Sequence, residues 1–298
     1  GAPAKCPWFR PFDETTCGLV YGLQPRAIQG MLDFDFACGC KKTLVAAMIY
    51  PFGCHHIQKF YWGTKETLLP VYTKIAEAVK KNPEAVTLIN FSSSGAVYQS
   101  TLDALEIPQI NSIALIAEGV PERHTQEILH LAEKKKVIII GPPTVGGIKP
   151  GCFRISNTGG MMENIISSKL YHPGSVAYVS KSGGMLNELN DILSLTTNGM
   201  YEGIAIGGDH YPGTTFIDHM LCYEADPNCK MLVLLGDLGG VEEYHVIEAV
   251  KSGQIKKPIV AWAIGTCVKM FTTEVQFGHA GLMANLDLET ADAKNQAM

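Results

Sequence analysis

The sequence has no apolar run long enough to cross a membrane and no excess of basic residues. A membrane-spanning helix needs about 20 consecutive apolar residues, and none of the runs approaches that length. The 24 Lys and Arg residues are outnumbered by 29 Asp and Glu, which gives a formal net charge of -5. A membrane or a nucleic acid is therefore not expected as a partner. Hydrophobic residues make up 46% of the chain, which favours a globular protein that buries surface in an oligomer.

The nine cysteines form no paired C-x-x-C motif. Cys38 and Cys40 are followed by Cys54, His55 and His56, but a structural zinc site usually has two closely spaced pairs of ligands. An odd number of scattered cysteines also argues against a disulfide framework. We therefore predict reduced thiols, no metal site and a cytoplasmic location.

Two common nucleotide-binding motifs are also missing. The first apolar run continues into residues 21–26 (YGLQPR), which do not match the G-x-G-x-x-G fingerprint of dinucleotide-binding proteins. No G-x-x-x-x-G-K-[ST] sequence, the P-loop of many ATPases, occurs either. The sequence thus gives no support to ordinary NAD binding or to a P-loop ATPase.

Short apolar runs alternate with helical patterns, which is typical of βαβ units and a mainly parallel sheet. In the first half the predicted strands are 18–22, 44–50, 86–90, 112–117 and 136–140, and the predicted helices are 65–81, 97–105 and 121–135. In the second half the predicted strands are 175–180, 203–206, 230–235 and 258–264, and the predicted helices are 184–195, 215–223 and 241–251. Residues 144–174 are rich in Gly and Pro and are interpreted as a connection. We predict an α/β protein with two doubly wound parallel-sheet domains, residues 1–150 and 151–298.

Two turns in the second half join a predicted strand to a predicted helix and contain several glycines. Each turn presents backbone N–H groups at a helix N-terminus, which favours an anion. The residues predicted to bind phosphate are Ser180, Lys181, Ser182, Gly183, Gly184 and Gly236.

His279 follows the last predicted strand and lies between Gly278 and Gly281. Its small neighbours leave the imidazole accessible, as a nucleophile that carries a group requires. Because the carboxyl ends of parallel strands meet at one edge of the sheet, we predict that a phosphorylated His279 lies between the two glycine-rich turns. Asp237 would hold the imidazole in one tautomer. His279 and Asp237 are therefore candidate catalytic residues.

The first half offers a separate pocket at the carboxyl ends of its own strands, where a nucleotide-like ligand would lie. Lys59 is included because its ammonium group suits a phosphate. The predicted cofactor-binding residues are Gly22, Lys59, Asn90, Phe91, Ser92, Ser93, Gly119, Val120 and Pro121.

Several motifs resemble a known enzyme family. Residues 278–281 (GHAG) and 180–183 (SKSG) resemble the α-subunit of succinyl-CoA synthetase and its relatives. Longer stretches resemble the ATP-citrate lyase family, in the segment that is similar to this α-subunit. These stretches are 31–35 (MLDFD), 116–122 (IAEGVPE), 144–151 (TVGGIKPG), 169–171 (KLY) and 274–281 (EVQFGHAG). The resemblance extends from about residue 15 to residue 298.

The resemblance implies a relay of phosphoryl and acyl groups. An ATP-grasp portion outside this chain would bind ATP and Mg²⁺ and would phosphorylate His279. The phosphoryl group would pass to citrate, CoA would attack the citryl-phosphate, and a citrate-synthase-like portion would cleave citryl-CoA to acetyl-CoA and oxaloacetate. The relay is needed because the oxygen of a carboxylate is a poor leaving group.

The resemblance also assigns the two domains. Residues 1–150 would form a Rossmann-like CoA-binding domain, and residues 151–298 a flavodoxin-like ligase domain with the phosphohistidine loop. Glu118 becomes a third candidate catalytic residue, because a carboxylate near the CoA thiol would help to deprotonate it. As the ATP-grasp and citrate-synthase-like portions are not in the sequence, we expect a fragment or one subunit of a larger enzyme.

Two positions depart from the pattern of the family. Glu usually stands where this chain has Asp237, and close relatives carry an Arg near Gly95 that suits a CoA phosphate. The alternatives are therefore the small subunit of a citryl-CoA or succinyl-CoA synthetase, and a non-catalytic CoA-binding paralogue. The residues that contact the acid are left open, with 157–160 (NTGG) as one candidate segment.

Overall fold

The structure is a computed structural model that describes residues 12–265 and 287–298. The predicted phosphohistidine, His279, lies outside the described residues, as do the two flanking glycines.

The first half of the described chain alternates strands and helices. Its elements are β1 (Gly18–Tyr21), α1 (Pro25–Ala37), β2 (Val45–Ile49), β3 (His56–Trp62), β4 (Lys65–Tyr72), α2 (Ile75–Lys81), β5 (Thr87–Asn90), α3 (Val97–Leu105), β6 (Ser112–Leu115), α4 (Glu122–Lys135) and β7 (Ile138–Ile140). The strands form one seven-stranded sheet in the order β3-β4-β2-β1-β5-β6-β7. Neighbouring strands are parallel except β3, which runs antiparallel to β4.

Helices cover both faces of this sheet, so its central strands are apolar on both sides. On one face, Ile28 and Met31 of α1 pack in a cluster with Val20 and Met48. On the opposite face, Leu19 and other strand residues pack with helices α2, α3 and α4. This arrangement confirms a doubly wound architecture and leaves the carboxyl ends of β1, β5 and β6 at one edge.

The prediction of a helix over residues 65–81 is wrong for its first half. Residues 65–72 form β4, which pairs with the unpredicted strand β3 across the turn at Gly63, where φ is 63°. Leu69 and Val71 are buried while Leu68 is 60% exposed, which is the two-residue period of a strand. The apolar residues here fit a helical period equally well, and only the pairing with β3 decides between the two.

The second half forms a six-stranded sheet. Its elements are β8 (Gly147–Lys149), β9 (Phe153–Arg154), α5 (Met162–Ser167), β10 (Val176–Ser180), α6 (Leu186–Thr196), β11 (Met200–Ala205), α7 (Phe216–Ala225), β12 (Met231–Asp237), α8 (Glu242–Lys251), β13 (Ile259–Ile264), a 3-10 turn (Asp287–Glu289) and α9 (Ala291–Ala297). The order is β13-β12-β10-β11-β8-β9, with β10 to β13 parallel and β8 and β9 antiparallel to their neighbours.

The segment interpreted as a connection, residues 144–174, is therefore more structured than predicted, because it contains β8, β9 and α5. Strand β8 already belongs to the second sheet at Gly147. The division at residue 150 stays a prediction. The fold class is confirmed, because both halves are α/β with mainly parallel sheets. None of the helices within residues 12–265 and 287–298 is long and apolar enough to cross a membrane.

The two sheets are held together by helix α1. Phe34 is fully buried in one cluster with Ile148 and Ile165 of the second half. The guanidinium of Arg154 lies 6.0 Å from the centre of the Phe34 ring. A Cβ atom at Gly30 would lie only 2.5 Å from Arg154 Nη2, so the glycine allows this close approach. This packing joins α1 of the first half to strands and helices of the second half.

Candidate functional site

One cleft, of about 410 Å³, lies beyond the carboxyl ends of β1, β2 and β5. We call it the first-sheet cleft. Its lining is mainly neutral and combines aromatic rings with hydroxyl and amide groups. The lining includes Gly22, Gln24, Tyr50, Phe52, Phe91, Ser92, Ser93 and Gln99. Helix α1 begins at Pro25, directly after the lining residue Gln24, so the positive end of the helix dipole lies beside the cleft. The arrangement suits a planar base together with a sugar or phosphate.

Asn90 supports the first-sheet cleft through the turn that carries Ser92. The side chain is fully buried, and its Nδ2 donates to Ser100 Oγ at 2.9 Å and to Thr101 Oγ1 at 3.1 Å. Its Oδ1 accepts a hydrogen bond from the backbone N of Ser92 at 2.9 Å. All three bonds are internal to the protein. Asn90 therefore orients the turn that presents Ser92, and it is not among the residues that line the cleft.

The backbone conformation at position 22 favours glycine. Its φ of 116° is rarely adopted by residues with a side chain. A Cβ atom there would also lie 3.4 Å from Phe91 Cβ. Gly22 therefore lets the chain turn sharply out of β1 while Phe91 keeps its place in the wall.

Lys59 lies away from the first-sheet cleft. It is on the edge strand β3, where its Nζ forms an ion pair with Glu66 Oε1 at 3.1 Å across the hairpin. The structure therefore does not bring Lys59 together with Ser92 and Ser93. Its role as a phosphate ligand stays a prediction.

A second cleft, of about 270 Å³, lies between the two sheets, and we call it the intersheet cleft. Ile116 and Glu118, which follow β6, form one wall. Lys181, Ser182 and Gly183, which follow β10, line it from the second sheet. The sequence analysis placed these residues in two separate sites, and the structure brings them together. The lining also includes Pro143, Thr144, Val145, Ser156, Asn157, Ala205 and Gly208.

The residues that follow Glu118 connect the intersheet cleft to helix α4. Gly119 has a φ of 69°, Val120 is buried, and Pro121 directly precedes the first residue of the helix. Among the residues lining the two clefts, only Glu118 of this segment is present. The cofactor-binding role of the other three stays a prediction.

The turn after β10 is held by its own serines. Ser180 is buried and donates from Oγ to the carbonyl of Ser182 at 2.6 Å, while Ser182 Oγ accepts from Gly184 N at 3.3 Å. A Cβ atom at Gly183 would lie 2.5 Å from Val145, so a side chain there would collide with the opposite wall. Ser180 thus supports the turn from inside, and Ser182 and Gly183 form the cleft surface.

Lys181 lines the intersheet cleft and reaches from it to the turn that follows β12. It is only 4% exposed, and its Nζ donates to the carbonyl of Gly239 at 3.1 Å. Within the described part of the chain it forms no ion pair with a carboxylate. The ammonium of Lys294, which pairs with Glu243, donates to the same carbonyl, so the Lys181 ammonium lies at the turn that follows β12.

Asp237 is the last residue of β12 and opens the turn that continues to Gly240. The Asp237 carboxylate accepts from the backbone N of Leu238 at 2.9 Å, and the Asp237 N–H donates to Glu243 Oε1 at 3.2 Å. A Cβ atom at Gly236 would lie 2.7 Å from Glu243 Oε1. Gly236 therefore makes room for the Glu243 carboxylate, and its predicted contact with phosphate remains untested.

His279 lies outside the described residues, so its predicted pairing with Asp237 stays a prediction.

Over residues 12–265 and 287–298, no three His, Cys, Asp or Glu side chains are grouped so that they could hold a metal ion. The described cysteines are free, and burial raises the pKa of the Cys38 thiol to about 12.

The comparisons with known proteins match this architecture. Residues 13–119 match the family described as CoA binding domain, and residues 179–298 match the family described as CoA-ligase. The probable ATP-citrate synthase subunit 1 of Schizosaccharomyces pombe is 67% identical over 98% of this chain and 48% of its own length. The ATP-citrate synthase of Homo sapiens is 58% identical over 96% of this chain and 26% of its own length. The chain thus spans about half or less of the curated relatives it matches.

A solved structure agrees closely with the fold. The ATP citrate lyase of Methanothrix soehngenii, in complex with citrate and coenzyme A, is 51% identical, with a TM-score of 0.93 over 96% of this chain and 46% of that one. A dinucleotide-forming acetyl-coenzyme A synthetase of Ca. Korarchaeum cryptofilum is 16% identical, with a TM-score of 0.61 over 84% of this chain and 51% of its own, and shares the fold. The chain belongs to the ATP-citrate lyase family, in the segment that joins a CoA-binding domain to a CoA-ligase domain.

Proposed function

We propose that this chain is the CoA-binding and phosphohistidine-carrying part of an ATP-citrate lyase. In this proposal it forms citryl-CoA from citrate and CoA through phospho-His279 and citryl-phosphate, with ATP and Mg²⁺ bound by an ATP-grasp partner. A citrate-synthase-like portion would then release acetyl-CoA and oxaloacetate. The observation that carries the proposal is the intersheet cleft, where Glu118 of the CoA-binding half meets the glycine-rich turn of the ligase half.

CoA fits the first-sheet cleft by chemistry. Phe91 and Tyr50 offer flat apolar surface for an adenine, while Ser92, Ser93 and the start of α1 offer donors for ribose and phosphate. Because β5 and β6 are adjacent and parallel, the clefts at their ends are neighbours on one edge of the sheet. CoA would therefore lie with its nucleotide in the first-sheet cleft and its thiol near Glu118.

The intersheet cleft would supply the reacting groups. Glu118 would accept the proton of the CoA thiol, so that a thiolate attacks the citryl carbonyl and phosphate leaves. Lys181, with the N–H groups at the start of α6, would stabilise negative charge on the phosphoryl group or on the carboxylate of citrate. Asp237 would hold the His279 imidazole so that one ring nitrogen is free to take the phosphoryl group.

The test is labelling with ATP that carries a labelled γ-phosphate, in the presence of the ATP-grasp partner. Wild type should give an acid-labile phosphoprotein whose label is removed by citrate, while His279→Ala should give none. His245→Ala, which changes a histidine on α8, is the matched control and should label like wild type. If wild type binds the partner and takes up no label, the proposal is wrong.

One alternative has a specific observation in its favour. A Cβ atom at Gly95 would have no heavy atom within 4 Å, so the position where relatives of the family are expected to carry Arg is open and uncharged here. A non-catalytic paralogue would bind CoA and a partner without accepting phosphate. Asp237→Glu combined with Gly95→Arg should then raise phosphorylation from near zero, whereas an active lyase segment should change only a few-fold. Free citryl-CoA without acetyl-CoA from the assembled enzyme would favour a citryl-CoA synthetase instead.

A further inference from the structure

A buried ion pair lies directly behind the Asp237 turn. Lys294, on helix α9, and Glu243, on helix α8, are both fully buried, and Lys294 Nζ lies 2.8 Å from Glu243 Oε2. None of the residues that line either cleft belongs to this pair. The pair therefore needs an explanation other than direct contact with a ligand in those clefts.

The pair holds the backbone of Asp237 from two sides. Glu243 Oε1 accepts from the Asp237 N–H at 3.2 Å, and Lys294 Nζ donates to the Asp237 carbonyl at 2.7 Å. The same ammonium donates to the carbonyl of Gly239 at 2.8 Å. Together with the bond from Lys181 Nζ to Gly239, the turn receives three hydrogen bonds from lysine ammonium groups. Both backbone polar groups of Asp237, the N–H and the carbonyl, are thus held by buried side chains, which fixes the position from which its carboxylate projects.

Stability alone does not explain such a pair. Two buried charges lose hydration on folding, and an apolar pair of the same size is often equally stable or more stable. Burial indeed lowers the pKa of Lys294, with Glu243 acting in the opposite direction. A buried polar network that is held by several hydrogen bonds is, however, rigid and specific in its geometry. Gly236 supports this explanation, since a side chain there would overlap the Glu243 carboxylate.

We propose that Glu243 and Lys294 are positioning residues, which fix the Asp237 backbone so that its carboxylate meets the His279 imidazole in the orientation that phosphorylation requires. The inference rests on the proposed function and extends it, because it gives a role to two residues that contact neither CoA nor the acid. Lys294 belongs to the helix that follows the histidine segment in the sequence, so the pair also links that helix to the Asp237 turn.

The experiment is a double-mutant cycle in the assembled enzyme with its ATP-grasp partner. The rate of acid-labile phosphoprotein formation from ATP is measured in single turnover for wild type, Lys294→Met, Asp237→Asn and the double variant. Lys294→Met should lower the rate constant by roughly 10- to 100-fold, as substitutions behind a site-forming residue typically do, with the KM for ATP unchanged. In the Asp237→Asn background it should cause little further loss, because Lys294 then has no catalytic carboxylate to position.

Two further variants separate positioning from folding. Lys257 is a matched control, because its Nζ also donates to two backbone carbonyls, those of Tyr223 and Asp226, but before β13 at the opposite end of the sheet. Lys257→Met should lower the thermal midpoint and leave the phosphorylation rate unchanged. Glu243→Gln with Lys294→Met leaves no unpaired buried charge, so it tests the same prediction if Lys294→Met alone does not fold.

The outcomes are distinguishable. An equal loss of rate from Lys294→Met in both backgrounds would show that the lysine acts independently of Asp237 and would overturn the inference. An Asp237→Asn variant that labels at the wild-type rate would overturn it as well, while leaving His279 as the carrier. A wild-type enzyme without label would instead overturn the proposed function, on which the inference depends.

Discussion

The two clefts of this chain lie at similar places, beyond the carboxyl ends of parallel strands, but they differ in charge. The first-sheet cleft is lined mainly by apolar, aromatic and uncharged polar residues, and Asp103 is the one charged residue among them. The intersheet cleft is lined by one acidic residue, Glu118, and one basic residue, the buried Lys181. A larger cleft with mainly uncharged walls suits recognition by shape, and a smaller one with residues of both charges suits bond making. In the proposed function, the same strand-end position therefore serves binding in one sheet and chemistry at the junction of two.

The sharpest test of this difference is Lys181→Met. The change removes the ammonium from the intersheet cleft and should lower phosphoprotein formation by roughly 10³-fold, since one electrostatic contact to a transition state can have this effect. CoA affinity, measured by calorimetry, should stay within a few-fold of wild type because the first-sheet cleft is untouched. A comparable loss of CoA affinity would show that CoA binding and phosphoryl transfer are not assigned to separate clefts.

Glu118→Gln should separate the two half-reactions. The amide keeps the size of the side chain but cannot take a proton, so attack by CoA on citryl-phosphate should slow by about 10²-fold. Labelling of His279 by ATP precedes that step and should keep its wild-type rate. Rapid-quench measurement of citryl-CoA from preformed phosphoenzyme checks the expectation, and a slower labelling step would contradict it.

A buried carboxyl in each half gives a prediction for stability. Burial raises the pKa of Asp35, in α1, and of Glu202, in β11, to about 7 in each case. The folded protein therefore binds more protons than the unfolded chain between about pH 4 and 7, and the free energy of unfolding should fall as pH rises through this window. The decline from each group should be on the order of 2 kcal/mol, after a discount for solvent screening.

Asp35→Asn and Glu202→Gln remove these two titrations one at a time. Each variant should flatten the pH dependence of unfolding by urea, followed by circular dichroism at pH 4.5 to 8. If the core shared through Phe34 makes the two sheets one cooperative unit, both variants should act on the same transition. Two transitions, each sensitive to only one variant, would show that the sheets unfold separately.

The smallest expected effect is that of Gly95→Arg. The position is open, and a guanidinium there would lie close to the first-sheet cleft without displacing a neighbour. CoA affinity should rise by about 3-fold at low salt, and the gain should fade as ionic strength increases because exposed charges are screened. Gly95→Gln is the uncharged control. An equal gain from Gln would mean that contact rather than charge is responsible.

Much of the architecture followed from the sequence. The buried runs 87–90, 112–115 and 138–140 are too short and too apolar for helices, and the alternation with helical patterns indicated parallel sheets. The helix predicted over residues 65–81 failed because Leu68, Leu69 and Val71 fit both periods, and the strand that pairs with them was not predicted. Strands β8 and β9 were missed because two or three residues carry no measurable period.

The sequence by itself determined the two α/β halves, the glycine-rich turns at the strand ends and the resemblance to the family. Those features can be recognised in short stretches of sequence, because hydrophobic periodicity indicates the strands and helices and glycine indicates the turns. Only the tertiary structure decided that Glu118 shares a cleft with Lys181 and that Lys294 and Glu243 fix the Asp237 turn. Residues far apart in the sequence meet there because α1 packs one sheet against the other and α9 packs on β13 and α8. Such contacts arise from the packing of whole elements, which no local pattern specifies.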